Sequence, residues 1–317
     1  MAAKGLGLLA GLALSLWLTS CGVVPVKETK KLPPEKVLPL RTATLEELVA
    51  TLHKQQEAVR TLNAEAELAP STGSAYSGVI EEYHDVRAFI LAVRRSENPG
   101  VSSGAPGAPE SGRPAEQIRM IGQAPVVRRT IFDMVADDET FRVHIPSKNK
   151  FIIGPNTASR QAKSPIENLR PQHLFDAVFL QAPFPGTPVL LEENEIGGRR
   201  YYAVSEIVLG EQGQFLLNRK WWFERSALDL VRFQRFDEAG HLTADVQYST
   251  WMESGGTAYP TQIELARPQE DYRLKLLIRE LKLNEFIEAD KFRLDQPGGT
   301  ELIDLAKDPL PVEPPSP

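Results

Sequence analysis

Asp133, Asp137, Asp138 and Glu139 form the densest group of oxygen ligands in the chain. Crowded carboxylates are what a hard cation such as calcium or magnesium requires. Their spacing matches no cation loop, however, and an acidic run between two alternating apolar stretches is also the composition of a hairpin turn, the reading adopted here. Glu81 and Glu82 are adjacent, and neighbours on a strand point to opposite faces, so they cannot converge on one atom. His53, His84, His144, His173 and His241 stand one per segment, without HExxH or any other metal-ligand spacing. No Gly-x-Ser-x-Gly nucleophile elbow occurs. A nominal dinucleotide fingerprint at Gly5, Gly7 and Ala10 lies inside an N-terminal apolar run. The residue types for catalysis are present but not arranged, and the sequence predicts no catalytic residue, no metal site and no cofactor.

Cys21 is different. It is the only cysteine in 317 residues. Before it, Lys4 supplies a positive charge and residues 5–18 run apolar without a charge, the two parts of a secretory signal. That run is shorter than the roughly 20 residues a membrane span needs. Leu18-Thr19-Ser20-Cys21-Gly22 resembles the bacterial lipobox, in which the cysteine is acylated and becomes the mature N-terminus. Two or more acyl chains give stable anchoring. The expectation is a signal peptide over 1–20, a lipidated Cys21, and a membrane held through that N-terminal lipid anchor. Gly22 stands where an Asp would favour the inner membrane of enterobacteria. The resemblance therefore implies the cell envelope, lipid-anchored to the outer membrane and facing the periplasm.

The elements that follow must position whatever the mature chain does. Residues 21–40 are rich in Pro and Lys and read as an extended tether. Thr44 and Glu47 fit a capping box, and Leu45, Leu48, Val49, Leu52, Val59 and Leu62 form one apolar stripe at helical spacing. Beyond Leu62 the period changes to two. Phe141, Val143 and Ile145 alternate with polar residues, as do Leu242, Ala244, Val246 and Tyr248, and again Tyr272, Leu274, Leu276 and Ile278. The phase slips near Arg279 and Glu280, as a β-bulge would produce. Turn signals at Gly197-Gly198, at 237–240 and at Gly255-Gly256 separate the runs. A second helix is expected after Pro171, with Leu174, Phe175, Val178 and Phe179 on one face. About ten strands joined as hairpins predict one large antiparallel sheet that shares a core with the helices over 41–306. Residues 96–117, dominated by Gly, Pro, Ser and Ala, read as a mobile insertion, and 307–317 as a Pro-rich tail. The net charge of −6 and the lack of a basic patch exclude nucleic acid as a partner.

Several segments in this order resemble the LolA/LolB-like superfamily of periplasmic lipoprotein carriers and receptors. Residues 128–146 are similar to its strand, Asp-containing turn and strand ending in Pro. Residues 222–240 read as a strand pair closed by an Asp-x-x-Gly turn. Tyr248 and Tyr259-Pro260 match a tyrosine, glycine and Tyr-Pro succession, and 281–294 the closing strand with its final Phe-x-Leu. The resemblance implies an α+β fold: a large curved antiparallel sheet of about ten or eleven strands, an unclosed half-barrel with covering helices. It further implies a lipid or acylated-protein ligand held in an apolar concavity. Phe132, Met134, Phe141, Val143, Trp221, Phe223, Val246 and Tyr248 are the residues expected to line it. The alternative is a non-catalytic interaction or sensor module that docks an envelope protein partner.

Overall fold

Thr44 opens the first element. Its hydroxyl accepts from the Glu47 amide at 3.3 Å, and Glu47 accepts from the Thr44 amide at 2.8 Å, the reciprocal capping box. The helix α1 (Leu45–Ala58) buries Leu48 and Leu52 and ends where Val59 turns extended. Thr44→Ala is expected to lower stability by about 1 kcal/mol, seen as a reduced urea midpoint at unchanged slope.

The computed structural model describes residues 39–74, 79–82, 86–94, 116–156 and 171–307. Cys21 with the signal and the tether to residue 38, His84, residues 96–115 of the expected insertion, and the tail from 308 lie outside the described residues. The chain divides into two compact units, Met1–Leu38 and Pro39–Pro317, and every described residue belongs to the second.

Seven strands precede the second helix: β1 (Thr61–Ser74), β2 (Val79–Glu82), β3 (Val86–Val93), β4 (Gln117–Gln123), β5 (Thr130–Ala136), β6 (Thr140–Ile145) and β7 (Lys150–Pro155). The helix α2 (Pro171–Val178) follows. Then come β8 (Val189–Ile196), β9 (Arg199–Leu209), β10 (Phe215–Glu224), β11 (Asp229–Phe236), β12 (Leu242–Ser254), β13 (Thr257–Arg267), β14 (Tyr272–Leu283) and β15 (Glu301–Asp304). They form one curved, unclosed sheet in the order β15-β7-β6-β5-β4-β3-β1-β14-β13-β12-β11-β10-β9-β8, with β2 paired beside the end of β1. The β15–β7 pairing is parallel; the neighbouring strands elsewhere run antiparallel.

The fold class expected from the sequence is present, with fifteen strands among the described residues where ten or eleven were expected. The excess has physical reasons. β2 and β15 have four residues each, too few to show a period. β3 is almost continuously apolar, which hides its alternation.

Local signals fall where the chain pattern puts them. Gly197-Gly198 and Gly255-Gly256 have positive φ at both positions, the mirror-image turn that two-residue hairpins favour. Glu65 pairs with Glu280 and Ala66 with Ile278, so Arg279 is the extra residue of a bulge on β14. The turn at 237–240 joins β11 to β12. It does not close the pair that begins at Trp222, whose own turn is 225–228.

Curvature follows from α2, which packs on β4 and β5 and also on β13. β4 and β13 are four strand steps apart in the sheet, about 19 Å if it were flat. That exceeds the roughly 10 Å width of a helix, so the sheet wraps around α2, and the face carrying both helices is concave.

Part of the opposite face is covered as well. After β14 the chain crosses it, and Phe292 and Leu294 bury against Val135 and Phe151. Arg119 holds this crossing segment, donating to both oxygens of Asp133 and to the Lys291 carbonyl at 2.8 Å. Leu91 and Val93 of β3 pack into the same cluster, which explains why β3 is apolar on both faces.

Candidate functional site

All eight residues expected to line a concavity lie on the concave face, and none is more than 3 % exposed. They come from two arms of the sheet. On one arm, Met134 of β5 stands opposite Val143 of β6, and Ala136 opposite Phe141. Phe132 lies across from Gly122. On the other, Trp221 and Phe223 of β10 share a face, Trp221 opposes Phe233, and Phe233 opposes Val246. Tyr248 continues that row on β12. One hydrophobic cluster unites both arms with Leu48 and Leu52 of α1 and with Leu174, Phe175 and Val178 of α2. Trp222, one residue on, points to the other face, as strand alternation requires.

The helical roof is attached by polar groups at its C-terminal end. The Tyr259 hydroxyl donates to the Val178 carbonyl at 2.6 Å, and Trp221 Nε1 donates to the Gln181 carbonyl at 2.7 Å. Arg94 donates to the Leu180 and Gln56 carbonyls and lies over the Phe179 ring. Gln56 Oε1 accepts from the Ala182 amide at 2.7 Å, joining the end of α1 to the end of α2. A helix end leaves carbonyls without intrahelical partners, and a cation there also suits the dipole. Burial pushes the Tyr259 phenol well above its ordinary pKa, and the neighbouring Tyr248 adds to the rise. Tyr248 itself is raised by burial and then by Asp176. Both stay protonated, so Tyr259 remains a donor to the roof.

At the rim stands an ion pair that strand patterning does not reveal. Arg219 of β10 donates to both oxygens of Glu206 of β9, at 2.6 and 2.8 Å, and both side chains are buried. Glu206 also accepts from the Phe184 amide, Thr187 Oγ1 and Asn218 Nδ2. The network continues through Gln181 to Asp176, which pairs with Arg235 at 2.8 Å. The carboxylate thus pins the 181–188 segment, the exit from α2, to the sheet. Beside it the β9–β10 hairpin ends in an exposed apolar pair, Leu209 (68 % exposed) opposite Phe215 (78 %). The signal for this tip was Ile207-Val208-Leu209 and Phe215-Leu216-Leu217 flanking the turn at 210–214.

The polar clusters singled out by composition do not meet. Asp137 organises its own turn, accepting from the Glu139 and Thr140 amides. Asp133 pairs with Arg119, and Asp138 accepts from the Glu116 amide. Among the described residues, no three His, Cys, Asp or Glu side chains are grouped to hold a metal. His53 lies on α1, His144 beside Phe151, His173 near Glu270 and His241 beside Asp237. The described histidines therefore share no site.

No protein-family model matches the chain, and no curated protein matches it in sequence. Solved structures do match in fold. A DUF1329 family protein from Desulfovibrio piger is 13 % identical, with 78 % of this chain and 94 % of that one covered at a TM-score of 0.50. A putative outer membrane lipoprotein-sorting protein domain from Vibrio parahaemolyticus is 9 % identical over 78 % and 94 %, at 0.47. A LolA superfamily protein from Nitrosomonas europaea is 14 % identical over 80 % and 99 %, at 0.43. At such identities the likeness is one of fold alone.

Proposed function

We propose that the chain is a non-catalytic envelope lipoprotein, anchored through Cys21, that receives the acyl chains of lipids or lipoproteins on its concave face. The observation that carries this reading is the continuous apolar cluster lying under a helical roof that packs into it through Leu48, Leu52, Leu174, Phe175 and Val178 and is tied by polar contacts at one end. Lifting that end breaks about four hydrogen bonds, each worth about 1 kcal/mol net. Burying about ten methylenes of an acyl chain returns about 8 kcal/mol. Lifting that end also exposes Leu174, Phe175 and Val178, at about 1.5–3 kcal/mol each, so the closed state is favoured without ligand and an acyl chain opens it by taking over those contacts. Phe132, Met134, Phe141, Val143, Trp221, Phe223, Val246 and Tyr248 are the surface it would meet.

The test is lipid mass spectrometry on the full chain carrying Cys21→Ser, produced with export and purified without detergent. A stoichiometric amphiphile is expected. A lipid-free protein that also refuses a fluorescent fatty-acyl probe would sink the reading. In addition, Gln56→Ala removes one tie of the roof, worth about 1 kcal/mol. Stopped-flow uptake of the probe is expected to quicken up to about fivefold.

A second reading, a sensor or interaction module that docks an envelope protein, rests on the exposed Leu209 and Phe215 tip. Exposed apolar surface of this kind marks interaction sites. Lipid-free protein together with partner binding lost in Leu209→Ser/Phe215→Ser would favour it.

A further inference from the structure

The outer face of the sheet, opposite the acyl-chain surface, carries a groove of about 410 Å³. One row of side chains crosses four strands in register. Trp222 of β10 stands opposite Arg232 of β11, Arg232 opposite Gln247 of β12, and Gln247 opposite Glu264 of β13. Between Trp222 and Phe223 the pairing slips by one residue, leaving Val231 as a bulge in the groove wall. A bulge bends its strand and re-aims side chains there. The Tyr201 ring sits edge-on to Trp222 at 6.3 Å, and Trp222 Nε1 is fixed by Gln234 Oε1 at 2.8 Å.

The charges of this groove are already satisfied. Arg199 pairs with Glu224, Arg232 with both oxygens of Asp245, and Glu264 with Lys275. An anionic ligand finds no unpaired cation in the lining, and a cationic one no unpaired carboxylate. A wholly apolar partner would bury those pairs dry, at a desolvation cost that pairing rarely recovers. What remains is neutral and wet. The Tyr201 hydroxyl, the Gln247 amide and the Ser249 hydroxyl line the groove with no protein partner among the described residues. Together they offer donors and acceptors beside two aromatic rings.

We propose that this groove binds a neutral oligosaccharide, whose hydroxyls meet Gln247, Ser249 and Tyr201 while a sugar face lies against the Trp222 and Tyr201 rings. The amphipathic character of both rings suits a ligand that is apolar on one side and hydroxylated at its edge. This site is on the other face of the sheet, so its success or failure is separate from that of acyl-chain binding.

The test is ligand-observed saturation-transfer NMR and calorimetry on the full mature chain, with chitotriose and maltotriose as neutral probes and sialyllactose as the anionic comparator. At least one neutral trisaccharide is expected to bind, with sialyllactose weaker. Trp222→Ala and Gln247→Ala are each expected to weaken it about tenfold. Gln247 is exposed, so its variant retains the fold even where Trp222→Ala loses stability. The proposal is overturned if neither neutral trisaccharide binds at millimolar concentration, if sialyllactose binds in preference, or if Gln247→Ala binds as well as the native chain.

Discussion

Glu206→Ala is expected to lower stability by about 3–5 kcal/mol, among the largest single-residue effects in the chain, because it strands Arg219 as a buried charge without its partner. At this chain length that corresponds to a fall in Tm of about 5–8 °C. The effect is one of desolvation rather than of lost attraction, and a double variant separates the two. Glu206→Leu with Arg219→Met removes both charges, and near-native stability is expected, since apolar replacement of a buried pair is often neutral. The loop at 181–188 then loses its anchor, so the double variant should also take up the acyl probe faster than the native chain. If Glu206→Ala leaves Tm unchanged, the pair is not buried in solution and the account of the rim fails.

The same pair makes a pH prediction. Burial by itself pushes the Glu206 carboxyl upward, but hydrogen bonds from Arg219, the Phe184 amide and Thr187 outweigh it, and the group sits below its ordinary value. A carboxyl depressed in the folded state contributes stability that is fully present above the unfolded-state pKa. That contribution is lost as pH falls through the folded value. Thermal melts of the native chain should therefore lose Tm below about pH 4.3, more steeply than melts of the Leu/Met double variant.

Gly122→Ala is expected to be the other severe change. A Cβ built on Gly122 would meet the Phe132 ring at 2.3, 2.5 and 2.9 Å, so the ring must move out of a fully buried place. Overpacking of this kind costs about 1–3 kcal/mol. Phe132→Ala alone should cost about 3–5 kcal/mol by opening a cavity. In Gly122→Ala/Phe132→Ala the clash has no ring to meet, and the double variant is expected to be no less stable than Phe132→Ala alone. Urea unfolding of the four proteins measures this coupling; simple additivity would show that the ring does not rest on Gly122. The cavity also bears on function, because an acyl probe that binds the concave face should restore part of the stability lost in Phe132→Ala.

Much of the fold is legible in the sequence because its signals are local. The α1 cap needs only Thr44 and Glu47, three residues apart. The Gly-Gly turns need positive φ at adjacent positions, and the Arg279 bulge shows as a slip in a period of two. Alternation likewise placed Phe141 with Val143, and Val246 with Tyr248, on one face, and each of these pairs is buried in the core. A hairpin's register is set within a few residues of its turn, so a single chain segment carries the information.

What alternation cannot state is which of two faces is concave, since a period of two is the same from either side. That was decided by α2 reaching β4, β5 and β13 at once. Tertiary structure also decided the fate of polar residues. Glu206 and Arg219 read as ordinary strand residues, and only the 181–188 segment folding over them makes the pair buried and costly to break. The double-sided burial of β3 depends on a segment about 200 residues later, Phe292 and Leu294, crossing behind it. Side-chain pattern alone determined the longer alternating strands, both helices and the Gly-Gly turns, but not β2, β3 or β15. Sidedness, the roof and the outer groove came from contacts between residues far apart in sequence, whose closure no local period records.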